Sequence, residues 1–190
     1  MLAVALLLPA LMPVSGSREA RRSGPSEVDP VMSSAVFRIG HGGISHFYGM
    51  FEEVGGTVDI DPAKENGGSI EIEVAAASVR THDEKRDAHL KGPDFFDVKQ
   101  YPSIRFASSS ISATGEDRFR VRGTLEMRGR KKEIEVLVTK TGEGEFMGKR
   151  VGYETTFSLL RSDFGMDYGI AQKALSDEVD VTLGISCIRK

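Results

Sequence analysis

The chain has 190 residues, 39% apolar and 28% charged, which suits one sizeable domain with its own core. A net charge of −3 and a pI near 5.9 give no electrostatic reason to expect a nucleic-acid partner. Cys187 is the only cysteine, which excludes an intrachain disulfide and any Cys/His zinc spacing, so the fold must stand on packing.

The chain opens with "MLAVALLLPALMPVSGS", apolar from Leu2 to Val14 and too short to span a bilayer. Residues 1–20 are predicted to be a secretory signal, with Ser15, Gly16 and Ser17 as the cleavage region. This implies export, to the periplasm in a bacterium. No Lys or Arg precedes the apolar run, so the basic n-region of such a leader is missing in this numbering, and a terminal helix that stays on is the alternative. Residues 21–30 are polar and rich in small side chains, and are predicted to be a disordered lead-in to a domain spanning 31–190.

From there the chain alternates with a period of two, the pattern of antiparallel strands with one wet face. "SAVFRIG" puts Phe37 and Ile39 on one face, and "SIEIEVAAAS" does the same for Ile72, Val74 and, further on, Ser78. Weaker strands fit 48–60 and 104–111, the latter with Ile104 and Phe106. "FRVRGTLEM" sets Val121 and Leu125 inward, and "EIEVLV" sets Ile134, Val136 and Val138 inward. "VGYETTFSLL" gives Phe157 and Leu159, and "VDVTLGISC" gives Val181 and Leu183. Breaks such as "ENGG", "ATGED" and "TGEGEFMGK" supply the hairpin turns.

Only "THDEKRDAHL" reads as helical, with Thr81 as N-cap, Glu84 completing a capping box, and Gly92-Pro93 as the stop. The expected fold is therefore all-β: an eight-stranded antiparallel barrel, closed to hide its edges, with one short helix between strands three and four. A barrel of this size either fills its interior with side chains or holds one apolar ligand. Small inward residues (Ala76, Ser78, Gly123 and Thr155) leave room, but a filled core would show the same alternation.

Four ordered blocks carry a resemblance. "FRIGHGGISHFYGMF" has His41, Ser45, Gly49 and Phe51 at its fixed positions. "ASVRTHDEKRDAHLKGPDFFDVKQYPSIRF" combines Ser-Val-x-Thr, Arg-Asp-x-His-Leu, Asp-Phe-Phe-Asp and Tyr-Pro-x-Ile-x-Phe elements in order. "GTLEMRGRKKEI" supplies a strand and turn in which Arg130 and Lys131 depart from the usual residues, and "LLRSDFGM" supplies an Arg-x-x-Phe-Gly element. From about Met32 onward the chain resembles the YceI-like family, polyisoprenoid-binding proteins with a lipocalin-like barrel. The resemblance implies a long apolar tube that holds an isoprenoid quinone or similar lipid, and export to the periplasm.

Under that resemblance Phe37, Ile39, His41, Ile72, Val74, Ser78, Phe95, Phe96, Ile104, Phe106, Val121, Leu125, Phe157, Leu159, an inward-packed Phe164, Val181 and Leu183 are the expected ligand-binding set. Thr81, Arg86, Asp87 and His89 form an expected structural polar cluster that pins the helix, and Arg161 with Asp163 an expected local pair. No catalytic residue and no metal ligand is predicted. The histidines lack a HExxH pattern, "RSDFG" stands without the other kinase elements, and no GxSxG elbow is present.

The expected function is non-enzymatic binding, with transport or storage of an apolar isoprenoid lipid, and no required cofactor. The membrane is met only transiently for exchange, and a homodimer is allowed. Two rivals stand beside it: an enzyme acting on such a lipid through His41 or His89, and a structural barrel working through a partner surface.

Overall fold

The computed structural model describes residues 24–61 and 64–189; the predicted signal segment at 1–20 lies outside the described residues. Eleven strands run in the order β1 (Ser26–Val28), β2 (Ser34–His41), β3 (Ser45–Phe51), β4 (Val54–Ile60), β5 (Gly68–Ala75), β6 (Val79–Arg80), β7 (Ser103–Ala113), β8 (Arg118–Met127), β9 (Arg130–Glu145), β10 (Lys149–Leu160) and β11 (Leu175–Ile188). One helix, α1 (Glu84–Leu90), sits between β6 and β7. β3 and β4 are halves of one bent strand. Phe51 and Val54 both point inward while Glu52 and Glu53 between them stay exposed, so the alternation slips by one residue as it does at a bulge.

Counting that bent strand once, eight strands make the wall. Each pairs antiparallel with the next, and β11 pairs back onto β2, with Val181 opposite Phe37 and Asp180 opposite Arg38. The barrel is thus closed and its long strands have no free edge. α1 falls between the third and fourth wall strands, where the sequence places it.

Two local expectations are corrected. The lead-in is ordered at residues 26–28: β1 pairs with β4 (Ser26 opposite Val58) and with β11 (Val28 opposite Cys187). Ser26 and Val28 are buried. A three-residue strand holds here because both of its edges find a partner, and because Asp29 after it accepts from Arg150 Nη1 at 2.7 Å and from the Val31 N–H at 3.0 Å. The N-cap of α1 is Asp83, not Thr81: its carboxylate accepts from the Arg86 N–H at 2.8 Å. Thr81 lies below the helix and gives its N–H and hydroxyl to Asp87 Oδ1, at 2.8 and 2.6 Å.

The inward rows of the barrel form one main core, and α1 with the loop after it adds Leu90 and Phe95 to it at one end. A smaller cluster of Leu125, Met127, Phe164 and Met166 packs beside the β8–β9 turn. At the opposite end Val58, Val151 and Cys187 are almost wholly buried around β1.

Candidate functional site

The inward rows do not meet in the middle. They enclose a cavity of about 630 Å³, within the usual range of ~300–1,000 Å³ for small-molecule sites. Ile104, Phe106, Phe157, Leu159, Val181 and Leu183 face inward yet are only partly buried, because they border this space rather than opposing side chains. Fifteen of the seventeen residues expected to bind ligand border it: Phe37, Ile39, His41, Ile72, Val74, Phe95, Phe96, Ile104, Phe106, Val121, Leu125, Phe157, Leu159, Val181 and Leu183.

The other two do not. Ser78 lies in a short 3₁₀ turn, Ala76–Ser78, that ends the strand alternation. Its hydroxyl is used locally, donating to the Ala75 carbonyl at 2.7 Å and accepting from the Glu53 N–H at 3.1 Å. Phe164 is also in a 3₁₀ turn, Arg161–Phe164, and is buried in the smaller cluster instead. In both places the chain leaves the strand, and at Ser78 the period-two reading no longer tells inside from outside.

Two glycines shape the wall. A Cβ on Gly49 would sit 2.2 Å from Phe37 Cζ and 2.8 Å from Thr81 Cγ2, and one on Gly123 would sit 2.6 Å from Phe106 Cζ. Each phenyl ring lies against a bare backbone, recessed towards the wall. Gly123 therefore makes room as the sequence suggests, but for a neighbouring ring. Thr155 borders the cavity and settles its hydroxyl on the Leu137 carbonyl at 2.8 Å.

At the end nearer β1, Val58, Val151, Tyr153 and Cys187 are buried. Burial pushes the Cys187 thiol up to about 11 and the Tyr153 phenol up to about 12. The other end is built from the β2–β3 hairpin, α1 and the segment after β10, which bring His41, Ser45, Phe47, Arg86, His89, Arg161 and Tyr168 to the cavity. His89 Nε2 lies 2.8 Å from Asp94 Oδ2, and the His89 ring stands edge-on to Phe95 and Tyr168 at 5.0 and 4.8 Å. The Arg86 guanidinium lies 4.8 Å from the centre of the Phe47 ring, close enough for a cation–π contact.

The polar cluster divides. Thr81 and Asp87 are buried and bonded to each other, and Arg86 donates from Nε to Thr81 Oγ1 at 2.7 Å and from Nη2 to the Thr81 carbonyl at 2.5 Å. These bonds tie α1 to the chain at Thr81. Arg86, His89 and Arg161 also face the cavity, which a purely structural assignment does not include. Arg161 and Asp163 do not pair: Arg161 donates to the Ser176 and Met166 carbonyls at 2.8 and 2.6 Å, while Asp163 accepts from Lys132 Nζ at 2.8 Å. The 3₁₀ turn separates the two side chains. Among the described residues no group of three His, Cys, Asp or Glu side chains gathers as a metal set.

Sequence reasoning missed several lining residues. Phe47 was legible, since it shares the face of Gly49 and Phe51 on β3. Tyr168 and Met166 were not, because they lie in a loop with no periodicity.

Comparison with known proteins agrees with this geometry. The YceI-like domain matches residues 27–187. A UPF0312 protein of Pseudomonas syringae pv. tomato is 35% identical over 148 residues, covering 77% of each chain. Burkholderia cenocepacia BcnA superposes with a TM-score of 0.75 at 26% identity, covering 84% of this chain and 98% of that one. A polyisoprenoid binding domain from Saccharophagus degradans shares the fold, with a TM-score of 0.70 at 15% identity over 88% of this chain and 99% of that one. With the family match spanning nearly all of the described barrel and a relative 35% identical over 148 aligned residues, this chain belongs to the YceI-like family.

Proposed function

We propose that the protein binds an apolar isoprenoid lipid, of polyprenyl or quinone type, inside the barrel and carries or stores it without chemical change. One observation carries this reading: inward rows of Phe, Ile, Leu and Val that line a cavity of about 630 Å³ instead of filling it with side chains. A filled barrel would be the more stable design, since each unfilled void forfeits packing. An apolar interior kept open is accounted for by something that occupies it. Burial of a prenyl chain gains roughly 0.8 kcal/mol per CH₂ before costs, and ~0.3 kcal/mol per heavy atom is a sober net figure for a large ligand. The fold likeness to a polyisoprenoid binding domain supports the ligand class.

The same reading includes export of the mature chain and brief contact with a membrane to load and unload. His41 and His89, the candidates for acid–base chemistry, stand at the polar end where they border a head group.

The deciding experiment is organic extraction and mass spectrometry of the protein purified from a bacterial host without residues 1–20. A prenyl lipid recovered in near-stoichiometric amount is the expected result. A clean extract, repeated after lipids are offered in detergent, would overturn the carrier reading and leave the partner-surface alternative.

A further inference from the structure

The charges on the cavity wall are unequal. Among the lining residues the formally charged ones are Arg86, Arg161 and Glu154. Glu154 is exposed on β10 between inward-facing Tyr153 and Thr155, so its carboxylate belongs to the outer face. Both arginines stand at the end of the cavity beneath α1. Tyr168, two residues beyond Met166, touches His89 on the helix, and Arg86 lies about one turn before His89.

Neither arginine forms an ion pair among the described residues. Arg86 gives two of its donors to Thr81. Arg161 is only 2% exposed, gives two donors to backbone carbonyls, and leaves Nη2 buried without a partner. Asp167 and Asp177 lie near enough to favour its charge, but Asp177 is held by the Ser162 N–H and hydroxyl at 2.9 and 2.7 Å. Asp94, the acid nearest His89, is likewise engaged by that ring. Burial works against the charge on Arg161 and pulls its pKa down. Asp167 and Asp177 favour the Arg161 charge from a distance but neither bonds to it, so a buried cation with an unpartnered Nη2 at the rim of an apolar tube remains costly, and an anion supplied from outside that bonds to it relieves that cost.

We infer that the ligand is an acidic amphiphile: an apolar chain that ends in a carboxylate or phosphate, with the head held by Arg86 and Arg161 and the chain in the tube. This rests on the reading of the cavity as a lipid site and narrows its ligand, within the polyprenyl and quinone types, to a chain with an acidic end and not a neutral quinone. A planar guanidinium meets both oxyanions with paired charge-assisted hydrogen bonds, which a neutral alcohol cannot match.

The test uses three ligands with the same twenty-carbon chain: geranylgeranyl phosphate, geranylgeranoic acid and geranylgeraniol. Each displaces an apolar dye from the delipidated protein. Both acids are expected to bind about tenfold or more tightly than the alcohol. A preference for only one of them separates phosphate from carboxylate. In Arg161→Gln and in Arg86→Gln the preference should shrink while alcohol binding persists, which also shows that the variant is folded. Equal affinity of all three ligands for the unaltered protein would overturn the acidic head group and leave the lipid site intact. Failure of all three to bind would overturn both readings.

Discussion

Position 49 carries no side chain because the Phe37 ring occupies the place where one would go. The backbone there is ordinary extended strand; what forbids a Cβ is the ring carbon 2.2 Å away, with Thr81 closing the other side. Gly49→Ala should push Phe37 into the cavity, cost about 1–3 kcal/mol in a urea denaturation midpoint, and weaken binding of an apolar dye. An alanine variant with unchanged stability and affinity would mean that the ring has somewhere else to go. Phe106 gives the complementary experiment. Its ring borders the cavity and rests over Gly123. Phe106→Asp places a carboxylate beside the space an apolar chain would occupy, and desolvating it costs several kcal/mol, so dye affinity should fall by about a hundredfold or more. Circular dichroism should still show the strands. If the variant unfolds instead, Phe106 supports the core and not the site.

Where β11 closes onto β2, one carboxylate joins three strands. Asp180 on β11 accepts from Ser158 Oγ on β10 at 2.6 Å and from Arg38 Nε on β2 at 2.9 Å. The Ser158 hydroxyl first, and the Arg38 guanidinium after it, hold the Asp180 carboxyl below its ordinary 3.8. Because the folded pKa is the lower one, this contribution is present above the unfolded value and is lost as pH falls from there through the folded value. Stability measured by urea denaturation should therefore drop as pH falls below about 4, and Asp180→Asn should flatten that part of the profile. A variant with an acid limb identical to the parent would show that the seam is held by its backbone ladder alone. At this scale the sequence was most legible. Alternation located the wall strands and the place of the helix, because side-chain direction in a strand repeats every two residues. It failed at Ser78, where a 3₁₀ turn breaks the period.

For the molecule as a whole, an open apolar interior means stability left unrealised until a ligand arrives. A lipid that binds only the folded barrel should stabilise it by about 2.7 kcal/mol at a hundred times its Kd. For a domain of this size that is a rise in Tm of roughly 5–10 °C in a calorimetric scan. A saturating prenyl lipid that leaves Tm unchanged would argue against occupancy of the cavity. β1 belongs to this scale too, since its three residues have no strand pattern of their own and are held by β4 and β11 from distant parts of the chain.

By itself the sequence determined the all-β class, the eight-strand wall, the short helix in its place and the inward identity of fifteen of the seventeen proposed lining residues. The class, the strands and the inward strand positions are local properties, written in the alternation of neighbours and the turn residues between strands, while His41, Phe95 and Phe96 came with the motifs that carry the family resemblance. Only the tertiary structure decided that the inward rows stand apart, because the width of a barrel follows from strand number and tilt around the whole ring. It also decided which polar groups reach the cavity. Arg86 comes from a helix, Arg161 from a strand end and Tyr168 from a loop, and no periodicity relates them. They converge because the ring closes, and the pairing that closes it joins residues some 140 positions apart, Arg38 with Asp180.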